Sequence, residues 1–466
     1  MAAKVQPKDR LSQSNEALKT ASTFADEYLS GLENRNVSAS GTALANLKHF
    51  EHALPEIPQS TLSTLTKLHA NGSPATTATA GGRFFGLVVG GSLPAALGAR
   101  VLSSAWDQVV FNEAISPIGV KLEQVAAGWL LDLFGLPKQA SVGFTTGATM
   151  ANFTCLAGAR HALLASAGWD VEKKGLGGAP KLRIVASAQI HITVLKGLAM
   201  LGFGTDCVES VACDANGAMR LDALPKLDAN TLVITQAGNV NSGACDPIGE
   251  IAKSAAKVGA WVHVDGAFGL WAAASPGKKT MLDGFEGADS WVVDGHKWLN
   301  TPYDCGIAIC KHPEALHAVM ATQAPYLKAG GIAAPKDMVP EFSRSARGVE
   351  VWAALNSLGR SGVADLIDRC CTHALAFADG LKALGFEVIN DVVLNQVVAT
   401  LPGREHLAPE IAEHVQNSGE AWFGPTVWRG RQAFRISVSS WVTTQHDVKR
   451  TLEAIKSALT ALENRQ

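Results

Sequence analysis

The sequence predicts an α/β fold, with a mostly parallel sheet in a large domain and a smaller α+β domain after it. Three observations predict it. Short apolar runs at Leu182–Ala186, Thr231–Thr235, Trp261–Val264, Ser290–Val293 and Gly306–Cys310 are rich in β-branched residues and show little polar alternation, as strands buried on both faces do. Helix-period segments such as Ala151–Ala165 and Pro247–Val258 lie between them, and strand–helix alternation builds a sheet covered by helices. With 466 residues, of which 47% are apolar, the chain is long enough for two or three domains with large buried cores.

Taken in order, residues 1–80 read as an N-terminal helical arm. Residues 8–70 carry an amphipathic helical pattern that ends in the turn chemistry of Asn71-Gly72-Ser73-Pro74. The arm has little apolar content to bury alone, so it is expected to pack on another domain or subunit. Residues 81–335 form the large domain. A Gly-, Ala- and Pro-rich stretch from Lys328 to Glu341 reads as a linker. In residues 336–466, helical runs at Arg347–Ser361 and Asp365–Leu384 precede short strands near Glu387–Ile389, Val397–Leu401 and Ala433–Val438, the pattern of an α+β domain. No internal repeat or low-complexity segment interrupts this order.

Composition narrows the function. Forty basic residues against 42 acidic ones leave a formal charge of −2, with no basic tract, which argues against a nucleic-acid partner. The N-terminal stretch is polar and charged, unlike a signal peptide. Apolar stretches are broken well short of a bilayer-spanning length, so no membrane span is expected. Eight cysteines occur without C-x-x-C spacing, which points to reduced thiols in a cytoplasmic protein rather than disulfides or a zinc site. No metal is expected.

The chemistry concentrates in four segments. The first is Asp289-Ser-Trp-Val-Val-Asp294-Gly-His296-Lys297-Trp298. A lysine at the end of an apolar run is unusual without a task, and a desolvated lysine can attack a carbonyl to form a Schiff base. Taken alone, a surface lysine after a strand would be the simpler reading. The second segment, Trp261-Val-His-Val-Asp265-Gly266-Ala267, puts an acid at the C-terminal end of a strand, where α/β sheets bind ligands. By itself Asp265 also suits a helix cap or turn. The third, Phe144-Thr-Thr-Gly147-Ala148-Thr149, opens a helix with small and hydroxyl residues. Free N–H groups there suit a phosphate, although an ordinary capped helix reads the same way. In the fourth, His191 follows the strand Leu182–Ala186. An imidazole there could stack on a cofactor ring, but a lone histidine is more often structural. A Schiff-base lysine, an acid for a ring nitrogen and a phosphate site together describe pyridoxal 5'-phosphate (PLP), whose pyridine ring is an electron sink when its nitrogen is held protonated.

The set Gly147-Ala148-Thr149, His191, Asp265-Gly266-Ala267 and His296-Lys297 resembles, in order and spacing, the group II PLP-dependent amino acid decarboxylases, including the aromatic-L-amino-acid and glutamate decarboxylases. The resemblance runs from about Phe84 to the C-terminus. It implies the aspartate aminotransferase fold type I, with a seven-stranded sheet, and a homodimer with a site shared between subunits. It also implies residue roles. Lys297 corresponds to the Schiff-base lysine, Asp265 to the pyridinium partner, and His191 to the histidine stacked on the ring near the labile bond. Gly147, Ala148 and Thr149 match the phosphate site, with His296, Ala267 and Asp294 around the cofactor. Arg435, in Ala433-Phe-Arg-Ile-Ser437, resembles the arginine that holds a substrate carboxylate, as its fork suits. An arginine on a strand is otherwise usually a surface charge.

Two departures stand out. Asp294 replaces the family's commoner neutral residue, and an acid beside a phosphate repels it unless it accepts hydrogen bonds. Lys328–Phe342 also lacks the tyrosine with which the family protonates the carbanion left by CO₂ loss. Of the three tyrosines, Tyr326 precedes this stretch and Tyr303 follows the lysine, and neither is a clean match. The expected reaction is decarboxylation of an amino acid to its amine, through an external aldimine and a quinonoid. A PLP-dependent aminotransferase or Cα–Cβ lyase is the alternative within PLP chemistry, and a non-catalytic PLP-binding relative is the alternative outside it. The substrate is an amino acid that the residues do not specify.

Overall fold

The computed structural model describes residues 7–322 and 334–464. Seven strands form the main sheet: β1 (Ser141–Thr145), β2 (Arg183–Ser187), β3 (Val208–Val211), β4 (Thr231–Gln236), β5 (Trp261–Asp265), β6 (Ser290–Asp294) and β7 (Gly306–Cys310). Their order is β1-β7-β6-β5-β4-β2-β3. Strand β7 runs antiparallel to β1 and β6, and the remaining neighbours are parallel. The fold is therefore the α/β sandwich that the apolar runs predict.

Burial on both faces explains why those runs lack alternation. Leu232 and Ile234 of β4 join one apolar core, and Val233 between them joins the other. The two cores lie on opposite faces of the sheet, because successive strand side chains point opposite ways.

A second, four-stranded antiparallel sheet contains β8 (Glu387–Val388), β9 (Gln396–Thr400), β10 (Gly424–Trp428) and β11 (Arg431–Ser437), in the order β10-β11-β9-β8. Its inward residues, among them Val397, Ala399, Phe434 and Ile436, belong to the same core as Val233 and Val264. The site lies where the ends of the large sheet meet this smaller one.

Three expectations need correction. The arm is not one continuous helical pattern. Helices Pro7–Ser30 and Thr61–Gly72 are separated by a turn, a short α-helix (Gly41–Ala45), a 3-10 helix (Asn46–Phe50) and a non-helical stretch over residues 51–60, where Pro55 and Pro58 each lack the N–H a helix needs. The two helices expected after the linker are both present within Gly348–Ala383, but they meet at a kink at Gly359 (φ 60°, ψ 179°) rather than at residues 362–364, and glycine adopts that conformation at little cost. Part of the expected linker is packed rather than loose. Ala334–Val339 is buried, and Val339 comes so close to Gly143 of β1 that a methyl group there would lie 2.6 Å from it. Residues 328–333 lie outside the described residues.

Among the described residues, no helix is long and apolar enough to cross a membrane.

Candidate active site

The C-terminal ends of β4, β5 and β6 open into a cavity of about 370 Å³. Gly147, Ala148, Thr149, His191, Asp265, Ala267, Asp294, His296, Lys297 and Arg435 all line it. Residues far apart in the sequence thus share one wall, at the carboxyl ends of the strands where α/β folds hold ligands.

Lys297 sits in the turn that follows β6. Its Nζ lies 3.1 Å from Oδ2 of Asp294. Asp294 is only 2% exposed, and its Oδ1 has no hydrogen-bond partner among the described residues. Asn300 fixes the turn. It takes a left-handed φ of 56°, donates from Nδ2 to the carbonyls of Trp298 (2.9 Å) and Ser439 (3.0 Å), and accepts from the Trp441 N–H (2.8 Å). Gly90 crosses this turn so closely that a Cβ would lie 2.0 Å from the Lys297 carbonyl, so only glycine fits there.

His296 accepts the Cys305 N–H on Nδ1 at 3.1 Å. Burial lowers its pKa, so the ring is neutral and carries its proton on Nε2. That nitrogen is 3.6 Å from Asp294 Oδ2. Tyr303 stacks on the ring with centroids 4.3 Å apart. Tyr326 lies outside the described residues.

The helix Ala148–Ser166 starts directly after β1. Its first intrahelical bond runs from Ala151 N–H to Gly147 O at 2.9 Å, which leaves the N–H groups of residues 148–150 without an intrahelical acceptor. They form an anion site at the positive end of the helix. Gly306 of β7 packs on this turn, where a Cβ would lie 2.4 Å from Gly147 Cα.

Asp265 is 5% exposed. Its Oδ1 accepts the Ala267 N–H at 3.2 Å, and its Oδ2 accepts Asn152 Nδ2 at 3.3 Å. Asn152 lies one helical turn after Ala148, so the anion site and the point that reaches the carboxylate are roughly 6 Å apart along the helix axis. The sequence reading gave Asn152 no role.

His191 is the N-cap of the helix Ile192–Met200 rather than a strand-end residue. Its Nδ1 is 2.7 Å from Thr193 Oγ1 and accepts the Thr193 N–H at 3.4 Å. Burial is the main cause of its lowered pKa; Lys297 and Arg435 push the same way, and Asp265 opposes them. A neutral ring anchored on Nδ1 holds its proton on Nε2.

Arg435, on β11, is a partly buried cavity residue rather than a surface charge. Nη1 donates to Val240 O (2.9 Å) and Asn241 Oδ1 (3.3 Å). No carboxylate pairs with it among the described residues, and burial lowers its pKa.

Other lining residues were not legible as such. Gln236 presents a buried Nε2 with no partner among the described residues. Leu87 and Val88 line the mouth with φ of 54° and 60°, a region costly for a β-branched side chain and a type of strain that gathers at functional sites. No sequence signal short of that strain marks them.

This donor set fits PLP. The helix start and the His296 Nε2–H suit a phosphate, Asp265 suits a cationic ring nitrogen, and Lys297 supplies the amine between them. Comparison with known proteins decides the matter. The model of the pyridoxal-dependent decarboxylase conserved domain matches residues 45–401. The chain belongs to the pyridoxal-dependent decarboxylase family. It is 28% identical to tryptophan decarboxylase 1 of Oryza sativa subsp. japonica, over 86% of this chain and 85% of that one. It is 30% identical to the L-2,4-diaminobutyrate decarboxylase of Rhizobium meliloti (strain 1021), over 79% of this chain and 76% of that one. A 4-hydroxyphenylacetaldehyde synthase of Rhodiola rosea is 28% identical over 76% of each chain. The crystal structure of the Oryza sativa enzyme with PLP and tryptamine superposes with a TM-score of 0.88 at 24% identity, covering 99% of this chain and 100% of that one. This decarboxylase is thus a PLP-dependent carboxy-lyase acting on an amino acid, and the aminotransferase, Cα–Cβ lyase and non-catalytic readings are not favoured.

Proposed function

We propose that Lys297 carries PLP and that the surrounding cavity residues divide the work of decarboxylation among them. One observation carries this reading: Lys297 opens into the same cavity as the helix start at Gly147–Thr149 and the carboxylate of Asp265. When bound, PLP supplies an electron-poor ring that takes up the electron pair released as CO₂ leaves.

The residues do the rest. N–H groups at Ala148 and Thr149, with the His296 Nε2–H, bind the phosphate. Asp265 pairs with the ring nitrogen, held by Asn152 and the Ala267 N–H. Ala267 lines the cavity beside it. Asp294 accepts a hydrogen bond from the Lys297 ammonium. His191 covers the ring and offers its Nε2 proton to the cavity. Arg435, without an acidic partner among the described residues, orients a substrate carboxylate. The test is covalent trapping. Borohydride treatment of the yellow protein is expected to fix the cofactor to the peptide holding Lys297, and Lys297→Ala to lose essentially all turnover. Label on another lysine would overturn the assignment. Screening amino acids, including hydroxylated aromatic ones, for CO₂ and amine identifies the substrate.

A second reading concerns the product. Residues 328–342 contain no tyrosine, and one relative is named for making an aldehyde. We read this chain as releasing some aldehyde with its amine, a ratio that product analysis with and without oxygen measures.

We further propose a three-part chain (1–80, 81–335 and 336–466) acting as a cytoplasmic homodimer. All eight cysteines are free, as in a reducing compartment. Exposed Leu54, Ile57 and Leu62 of the arm, and exposed Leu87, Ile192 and Tyr303, give a second copy apolar surface to cover.

A further inference from the structure

A line of hydrogen bonds runs beneath the cavity. Trp261, His263 and Asp265 alternate along β5, so their side chains share one face of the sheet. Trp261 Nε1–H donates to Ser290 Oγ at 3.0 Å. Ser290 Oγ lies 2.8 Å from His263 Nδ1, and His263 Nε2 lies 2.8 Å from Asn152 Oδ1. Asn152 Nδ2 then donates to Asp265 Oδ2 at 3.3 Å. Ser290, His263 and Asn152 are 0% exposed, so bulk water does not compete for these bonds.

The protons along this line have one consistent arrangement. A carboxylate only accepts, so the Asn152 amide turns its NH₂ end to Asp265 and its oxygen to His263. His263 must therefore donate from Nε2. Burial pushes its pKa down to about 4, so the ring is neutral and Nδ1 is bare. Nδ1 accepts the Ser290 hydroxyl proton, and a Ser290 lone pair accepts the Trp261 indole N–H. Every donor points toward Asp265.

We propose that His263 is a positioning residue of this decarboxylase: its Nε2–H fixes which end of the Asn152 amide meets Asp265, and so holds that carboxylate aimed at the cavity. The inference deepens the reading of Asp265 as the partner of the cofactor ring, and it rests on that reading. His263 acts only through Asn152. Each Asp265 oxygen takes one protein N–H and keeps a lone pair for a donor in the cavity. Without His263, the Asn152 oxygen has lost its donor and the amide is held only through its NH₂ end at Asp265, so its aim at the carboxylate is no longer fixed. The buried acceptor and hydroxyl left behind then have no partner.

Histidine-selective ¹⁵N NMR of the PLP-loaded protein at neutral pH is the direct test. It is expected to show His263 with Nε2 protonated and Nδ1 bare; the other tautomer or a doubly protonated ring overturns the proposal. His263→Phe is expected to lower kcat by about ten- to a hundredfold, the usual effect of losing a group that orients a site residue, with KM little changed. It should also shift the absorbance of the bound cofactor. His263→Gln, whose amide can donate to Asn152 and accept from Ser290, is expected to recover most of both. Equal loss in the Phe and Gln variants overturns the proposal. If His263→Phe fails to fold, Ser290→Ala carries the test. It removes the proton that sets the tautomer, and unchanged kcat and absorbance would overturn the proposal. Asp265→Asn separates the two readings. If it leaves kcat and absorbance unchanged, the reading of Asp265 fails. If it is crippled while His263→Phe matches wild type, this inference alone fails.

Discussion

Asp294 holds Lys297 with one carboxylate oxygen, Oδ2 to Nζ at 3.1 Å, and leaves the other buried without a partner among the described residues. A carboxylate in this place acts on cofactor loading in two ways. It keeps the lysine in an ion pair that must open before the amine can react. It also stands beside the helix start at Gly147, where a Cβ would lie 3.8 Å from its Oδ1, and so repels an incoming phosphate. Both effects oppose binding, so Asp294→Asn is expected to tighten PLP up to about tenfold, roughly 1.4 kcal/mol. Fluorescence titration of the apoprotein measures it. Unchanged or weaker affinity would show that Asp294 instead helps to hold the cofactor.

Asp265→Asn is expected to keep the fold, because the new amide can still offer one oxygen to Asn152 Nδ2. It removes the charge facing the ring nitrogen, and loss of a preorganised electrostatic partner costs kcat roughly a hundred- to a thousandfold. Steady-state rates beside a thermal melt decide it. Near-normal kcat would mean that the ring does not lie against Asp265.

How far the sequence carried these assignments depends on how local each signal is. Lys297 and Asp265 close apolar strands in compact motifs, so their position at strand ends could be read directly. Their meeting with Arg435, far along the chain, rested on family resemblance. The strands β1, β3 and β10 were not marked by apolar runs, and each lies at the edge of its sheet. Edge strands keep one side open and tolerate polar residues and proline: β3 reads VESV and β10 reads GPTVW. The pairing of His263 with Asn152 joins residues 111 positions apart, and no local pattern announces it. Asn152 looks like any polar residue of a helix until β5 is packed against it.

Arg435 is a cation with two polar bonds from Nη1 and no acid beside it among the described residues. Arg435→Lys replaces a planar fork with a point charge. It is expected to raise KM for the amino acid about tenfold, as the loss of one charge-assisted hydrogen bond implies, with a smaller change in kcat. An unchanged KM would assign Arg435 to tethering Val240 and Asn241 alone.

The last prediction concerns acid. His263 has a folded pKa of about 4 against an ordinary histidine value of 6.5. Between those values the unfolded chain binds a proton at this position that the folded protein refuses, so stability rises with pH across that window. The contribution is fully present above about pH 6.5 and is lost as pH falls toward 4. At one pKa unit per 1.36 kcal/mol, it is on the order of 3 kcal/mol. His191 and His296 are shifted the same way. Buried Asp246, raised to about 6, works in the opposite direction, because it takes up its proton more readily folded than unfolded. A single melting curve mixes these terms, but a difference between two proteins does not. His263→Gln removes one titrating group and leaves the others in place. The stability gap between wild type and His263→Gln, measured by urea unfolding, is therefore expected to move in the variant's favour by about 3 kcal/mol from pH 7 to pH 4. A gap independent of pH would mean that His263 titrates at its ordinary value, and the ring in the line to Asp265 would then charge as pH falls below about 6.5 instead of staying neutral toward pH 4.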